Sequence, residues 1–265
     1  MKIATWNVNS LKIRIDQVMD WLATSDCDIL CLQETKLTDD NFPADRIKEA
    51  GLHVAYSGQK TYNGVAIIAK QPISNVVTDV PGLDDPQRRI MCATVGDVRV
   101  LDLYVVNGKE VGTDKYHYKL NWLEKVTQYI EDQIQQHENF VLVGDFNIAP
   151  EDRDVHNPVS WTDKILCSKP ERAALQKIVD LGLTELFREF DQPENSFSWW
   201  DYRSGGFEKN LGLRIDMILT TDAMTKRCTS CVVDTEPRKL ERPSDHAPVV
   251  AEFEEKQNLK KEIKL

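Results

Sequence analysis

The residues best able to do chemistry in this chain stand where its apolar runs end. Asn7 and Asn9 follow Ile3-Ala-Thr-Trp6, Glu34 closes Asp28-Ile-Leu-Cys-Leu-Gln, and Tyr104 and Asn107 end the run from Val98 to Val106. Asp145 and Asn147 close Phe140-Val-Leu-Val-Gly144, Asp216 interrupts Arg214-Ile-Asp-Met-Ile-Leu219, and Asp245-His246 precedes Ala-Pro-Val-Val. In a strand, residues i and i+2 share a face, which pairs Asn7 with Asn9 and Asp145 with Asn147. Gly144 lets the backbone turn sharply so that Asp145 projects at a sheet edge. Carboxylates and carboxamides with a single histidine suit a hard cation, Mg²⁺ or Mn²⁺, better than zinc. There is no glycine-rich phosphate loop and no nucleophile elbow. Metal-assisted hydrolysis remains, with water as nucleophile and a phosphoryl group as electrophile.

His246 needs an orienting partner, and its neighbour Asp245 is a poor one, because adjacent side chains in a strand diverge. Asp216 is the best candidate: an acid inside an apolar strand is costly unless paired, and an Asp216–His246 dyad accounts for both residues. Taken singly these residues are ordinary, since an Asp at a strand end commonly forms a turn and Trp199-Trp200 could simply pack.

The elements that must position these residues are legible in outline. Strands are expected over 2–8, 28–34, 52–57, 63–70, 75–79, 89–95, 98–106, 140–144, 213–220, 228–234 and 246–253, with Asn63-Gly64 and Gly96-Asp97 as turns. Helical spacing of Ile13, Val18, Trp21 and Leu22 predicts a helix up to Ser25, joining two strands as a crossover. A long helix over 115–136, with Asp114 as its cap, carries Tyr118, Trp122, Val126, Tyr129, Ile130 and Ile134 on one stripe. Pro170 opens another, closed by Gly182. With no linker or repeat in sight, residues 1–255 read as one mixed α/β domain with a charged tail over 256–265.

The chain has 265 residues, 41% hydrophobic and 29% charged, which excludes a disordered or collagen-like protein. No apolar run reaches the ~18 residues of a membrane span, and alternation from Lys2 onward leaves no room for a leader, so a cytoplasmic monomer is expected. Cys27-x3-Cys31 and Cys228-x2-Cys231 have tempting spacings, but buried thiols explain them more simply than zinc or redox chemistry. The formal net charge of −10 weighs against a polyanionic partner until it is located. Residues 16–50 hold nine acids against three bases and 124–154 eight against two, so the remainder is slightly basic. The stretches carrying Arg203, Lys209 and Arg214, and Arg238, Lys239 and Arg242, are nearer balance and are expected to face the partner.

Six segments together resemble the exonuclease III family of apurinic/apyrimidinic endonucleases: Thr5-Trp-Asn-Val-Asn-Ser-Leu11, Leu32-Gln-Glu-Thr-Lys36, Gly58-Gln-Lys-Thr-Tyr-Asn-Gly-Val-Ala66, Gly144-Asp-Phe-Asn-Ile-Ala149, Leu211-Gly-Leu-Arg-Ile-Asp216 and Glu241-Arg-Pro-Ser-Asp-His-Ala-Pro248. The resemblance runs from Met1 to Phe253. It implies the DNase I-like four-layer α/β sandwich, two packed mixed β-sheets flanked by helices. It also implies Mg²⁺-dependent incision of double-stranded DNA 5′ to abasic sites and removal of nucleotides and blocking groups from damaged 3′ ends.

By the same resemblance Glu34 is the main metal ligand, with Asn7, Asp145, Asn147, Asp245 and His246 completing the metal set and Asn9 close by. Asp145 orients or deprotonates water, and Asn147 touches the scissile phosphate and the metal. Tyr104 and Asn107 contact phosphate, His246 acts on its oxygens with support from Asp216, and Asp245 lies near a second metal or water position. Trp199, Trp200 and Leu213 form the wall that receives a flipped-out abasic sugar, with Asn9 and Arg214 on the substrate side. Two features depart from the family pattern: Val106 stands where many relatives carry Pro, and the stretch from Val155 to Trp161 differs. A His156 or Trp161 leaning into the pocket would weaken abasic incision while sparing 3′ trimming. The competing reading is a same-fold phosphohydrolase limited to 3′-end trimming, or one acting on RNA or inositol phosphates.

Overall fold

Alternation along the central strands buries both of their faces, each against a different neighbour. Ile29 and Cys31 join one core with Val141, Val143 and Ile218, whereas Leu30 and Leu32 join a second with Trp6, Val18 and Trp21. A third core forms where Leu101, Phe140 and Leu142 meet Trp122, Val126 and Ile130. Three apolar seams between four layers follow directly: helix, sheet, sheet, helix.

The computed structural model describes residues 1–254, so the expected tail over 256–265 lies outside the described residues. In chain order the strands are β1 (Lys2–Asn7), β2 (Ile29–Gln33), β3 (His53–Ser57), β4 (Val65–Ala69), β5 (Ile73–Val77), β6 (Ile90–Val95), β7 (Val98–Tyr104), β8 (Phe140–Asp145), β9 (Thr184–Glu185), β10 (Trp199–Trp200), β11 (Gly212–Leu213), β12 (Asp216–Thr220), β13 (Cys228–Val233) and β14 (Val249–Phe253). One sheet runs β13-β14-β1-β2-β4-β3, the other β5-β6-β7-β8-β12-β9, and β10-β11 form a small ribbon. Helices α1 (Leu11–Ser25) and α2 (Ala44–Glu49) cover the first sheet. After them come α3 (Asp114–Gln136), α4 (Pro158–Trp161), α5 (Lys169–Val179) and α6 (Asp222–Thr225), of which α3 and α5 cover the second sheet.

The expected crossover is present twice. β1 and β2 are parallel with α1 between them, and β7 and β8 are parallel with α3 between them. Each crossover delivers two strands that end side by side, so Asn7 and Glu34 from one sheet meet Tyr104 and Asp145 from the other. Two expectations need correction. Thr113, not Asp114, caps α3, its side-chain oxygen accepting from the Tyr116 N–H. The strand expected over 213–220 is broken into β11 and β12, because Arg214 and Ile215 leave the ladder where Ser198 reaches in to take the Ile215 and Asp216 N–H groups.

Gly144 sits at φ 147°, and a Cβ there would lie 1.9 Å from the Leu103 carbonyl oxygen. No side-chain movement relieves that clash, since the obstacle is backbone. Gly144→Ala should therefore cost about 2–4 kcal/mol of stability, read as a lower urea midpoint. Gly51→Ala, at positive φ but in open space, should cost about 1 kcal/mol. Equal losses would show that the Leu103 contact does not matter.

Candidate active site

Both sheets contribute to one polar cluster at their shared strand ends. Asn7, in the last position of β1, is fully buried, and its Nδ2 donates to Glu34 Oε1 at 3.0 Å and to Asp145 Oδ2 at 2.9 Å. Its Oδ1 accepts from the Asn9 N–H at 3.0 Å. The Asn147 N–H likewise donates to Asp145 Oδ1 at 2.9 Å. The expected pairs Asn7/Asn9 and Asp145/Asn147 thus meet, but not as neighbours on one strand face. β1 and β8 end at Asn7 and Asp145, and Asn9 (φ 42°) and Asn147 (φ 49°) have turned into the left-handed region. Local side-chain-to-backbone turns bring the pairs together instead. Glu34 (φ 53°) and Lys36 (φ 55°) share that conformation.

The expected dyad is present. His246 Nδ1 lies 2.9 Å from Asp216 Oδ2, and its Nε2 faces Asp145 Oδ2 at 3.8 Å. Ser198 Oγ donates to Asp216 Oδ2 at 2.6 Å, fixing the far end of the chain of contacts. Burial opposes a charge on His246, but Asp216 and Asp145 outweigh it and hold the imidazole protonated, with its pKa raised to about 10. Burial, helped by Asp216 and resisted by His246 and the Asn7 amide, lifts Asp145 to about 7. Burial also works against Glu34, but Lys36 at 2.9 Å and the Asn7 amide keep its carboxyl below its usual range. Burial, with Glu34 and Asp145 close by, drives the Tyr104 phenol well above its ordinary pKa, so it stays a neutral donor.

Asn107 Nδ2 donates to Asn147 Oδ1 at 3.0 Å, joining the loops after β7 and β8. Val106 is buried and leaves Asn107 at the rim. Asp245 accepts from Asn9 Nδ2 and Trp199 Nε1, both at 2.9 Å, so each of its oxygens is engaged. Trp199 pairs with Leu213 across the ribbon and forms a wall beside Ile215 and Val155. His156 is anchored beside that wall, its N–H and its Nδ1 each 3.1 Å from the Gly212 carbonyl.

Three expected substrate residues are elsewhere, the first being Leu213, fully buried in the core that packs against Trp199. Trp200 alternates to the opposite face from Trp199, where it is buried against Phe197 and Phe207 and donates to Asn210. Arg214 is 1% exposed and is paired with Asp154 at 2.8 Å and Glu185 at 3.0 Å. Burial makes such a guanidinium a structural strut. Arg238, also expected at the partner-facing surface, is buried over Phe207 and donates to the Ser244 carbonyl.

Residues that sequence reasoning missed sit just behind the cluster. Lys36 bonds Asn9 as well as Glu34, Ser244 donates to the Asn7 carbonyl at 2.6 Å, and Arg14 from α1 donates to the carbonyls of Asn9, Arg242 and Pro243. Lys36 and Ser244 lie inside two of the quoted motifs; nothing in the sequence marks Arg14. The six cysteines are free, and burial raises thiols such as Cys27, to about 12, so they are inert.

A cation fits this donor set on the Glu34 side. Asp145, Asp216 and His246 converge, but the two Asp216 oxygens already serve Ser198 and His246, and the imidazolium offers N–H groups rather than lone pairs. That trio is a charge chain, with His246 hydrogen-bonded to Asp216 and facing Asp145 at 3.8 Å. Glu34, ionised with Asn7 on Oε1 and Lys36 on Oε2, is the carboxylate a hard cation would take, in place of the Lys36 ammonium. The arrangement as a whole can deprotonate water at Asp145 and present N–H and O–H donors to an anionic oxygen.

Residues 4–246 match the endonuclease/exonuclease/phosphatase family, and the chain belongs to it. It is a hydrolase of the exonuclease III type: it is 35% identical to exodeoxyribonuclease III of Haemophilus influenzae over 96% of this chain and 100% of the relative. A solved structure of a Neisseria 3′ phosphatase bound to product DNA hairpin superposes with a TM-score of 0.95 at 48% identity, covering 96% of this chain and all of that one. An AP endonuclease of Archaeoglobus fulgidus gives a TM-score of 0.92 at 37% identity, over 96% of this chain and all of its own. The four-layer fold is the one shared with these nucleases. No helix among the described residues is long and apolar enough to cross a membrane.

The charge chain has a pH signature. The fold holds the His246 proton up to about 10 against an ordinary 6.5, so this contribution to stability is complete below about pH 6.5 and disappears as pH rises to about 10. In metal-free buffer the stability of the wild type should therefore fall between pH 7 and 10. Asp216→Asn, which removes the main attraction, should flatten the slope. Parallel slopes in the two proteins would mean that His246 is not charged in the fold.

Proposed function

We propose that this chain is a Mg²⁺-dependent repair nuclease that hydrolyses phosphodiester and phosphomonoester bonds at the 3′ ends of double-stranded DNA, acting as a monomer in the cytoplasm. The observation that carries this reading is the Asn7 amide held between Glu34 and Asp145, with the His246–Asp216 pair on the other side of Asp145. Asp145, with a pKa of about 7, is matched to taking a proton from water near neutrality. The His246 imidazolium, the Tyr104 hydroxyl and the Asn107 amide donate to the phosphate oxygens as negative charge grows there, joined by Asn147 Nδ2 when it gives up its 3.4 Å contact to Asp145. Glu34 would hold Mg²⁺, or Mn²⁺ in its place, with Asp145 and Asn7 beside it. The cation, when bound, supplies Lewis-acid stabilisation of the phosphate and the leaving oxygen.

The partly exposed ring of Trp199 suits a deoxyribose lacking its base, whereas an inositol phosphate offers nothing to pack on it. His156 bears on which DNA lesion is accepted. Its ring is fixed beside the wall by the Gly212 carbonyl and packs edge-on to Trp161 at 6.4 Å. We assign it a steric role that narrows the pocket, so 3′-end trimming dominates and incision at internal abasic sites is the weaker activity.

End-labelled duplexes test all of this. A duplex with a 3′-phosphate should be trimmed in Mg²⁺ and untouched in EDTA. Asp145→Asn should slow trimming roughly 10²–10⁴-fold with an unchanged circular dichroism spectrum. His156→Ala should raise incision at a single internal abasic site relative to trimming. Trimming in EDTA, or normal turnover in Asp145→Asn, would overturn the mechanism; an unchanged ratio in His156→Ala would overturn the steric role alone.

A further inference from the structure

The carboxamides assigned to the phosphate stand on two separate loops, and one buried cation joins the loops from behind. Lys119, on the second turn of α3, is 0% exposed, as is its partner Glu171 on α5. Its Nζ donates to the Asn147 carbonyl at 2.6 Å, to the Asn107 carbonyl at 3.2 Å and to Glu171 Oε1. An ammonium has three N–H donors, and all three are used. Glu171 is itself saturated: Oε1 also accepts from the Leu166 N–H at 3.1 Å, while Oε2 accepts from the Ser168 N–H at 3.1 Å and the Ser168 hydroxyl at 2.7 Å. The stem is held as firmly, since a Cβ at Gly108, next to Asn107, would lie 3.1 Å from Lys119 Cδ. A salt bridge kept only for stability would not need its ammonium pointed at two loop carbonyls, and an apolar pair commonly serves a core as well.

We propose that Lys119, held by Glu171, is a positioning residue that sets the Asn107 and Asn147 side chains at the distance the phosphate requires. This rests on the nuclease reading above. The lysine touches neither substrate nor water. It fixes the backbone from which both carboxamides project, and the Asn107–Asn147 hydrogen bond completes the frame on the substrate side. Loss of Lys119 frees the two loops to separate, and a displacement near 1 Å at a reacting group costs on the order of 10²-fold in rate.

The test compares wild type, Lys119→Met, Asn147→Ala, the double variant carrying both, and Lys119→Met with Glu171→Gln. The last leaves no unpaired buried charge and keeps a residue able to complete the Ser168 capping box. Each protein is assayed for kcat and KM on a 3′-phosphate duplex in Mg²⁺ and for its melting temperature. The side-chain amide signals of Asn107 and Asn147 are followed by NMR in the wild type and in the Lys119 variants.

The expected result is a kcat lower by about 100-fold in Lys119→Met, and still low in the Glu171→Gln pairing although that protein melts close to wild type. In the Asn147→Ala background, Lys119→Met should cost clearly less than the roughly 100-fold it costs alone, because one of the two carboxamides it positions is already gone. Full multiplication of the two losses, or recovery of kcat together with stability, would overturn the proposal. A wild type that cleaves no DNA would instead defeat the nuclease reading. The positional claim is then decided by the amide signals, with unchanged signals refuting it and displaced ones upholding it.

Discussion

A single side-chain amide ties the two halves of this molecule together at the place where it matters chemically. Asn7 Nδ2 lies between Glu34, at the end of its own sheet, and Asp145, at the end of the other. A buried and a half-buried carboxylate this close repel each other, and the amide is the neutral donor that lets both remain. The surrounding structure serves that geometry. Parallel β1·β2 and β7·β8 pairs bring four strand ends to one edge, and the three apolar seams keep the sheets from sliding past each other.

Around this contact the charges are arranged in opposition. Lys36 keeps Glu34 ionised, Asp216 keeps His246 protonated, and burial keeps Asp145 close to neutrality in its proton affinity. Three acidic groups with similar intrinsic acidity are thereby given different surroundings: one beside a lysine, one buried between an amide and an imidazole, and one paired with histidine. Such separation by environment is how one site runs acid and base chemistry near pH 7. It also explains why the acidic total is compatible with a DNA substrate. Acids at the cleft would be neutralised by a cation, and most of the remaining excess lies in the 16–50 and 124–154 stretches.

Second-layer contacts give the site its rigidity. Ser198 pins Asp216, Ser244 pins Asn7, Arg14 gathers the carbonyls of Asn9, Arg242 and Pro243, and Lys119 gathers those of Asn107 and Asn147. Each of these is a side-chain donor that holds backbone or carboxylate oxygen. Loops with Asn9, Glu34, Lys36 and Asn147 all at positive φ persist because so many donors fix them.

The sequence by itself determined the strand ends, their polar residues and the Asp216–His246 pairing, because alternation and the cost of an unpaired buried acid are local facts. It also marked Asn7 with Asn9 and Asp145 with Asn147, although turns rather than shared strand faces join them. What alternation could not reveal was where β11 gives way to β12, and with it the burial of Arg214 against Asp154 and Glu185. Nor could it separate Trp199 from Trp200, since an aromatic pair shows no preferred face until its neighbours are placed. Arg14, Lys119 and Ser198 act across contacts of 5 to 229 residues in sequence, with Lys119 alone reaching both Asn147 and Glu171. Only tertiary packing decides such long-range partners, because their hydrogen bonds exist only once separate layers have closed on one another.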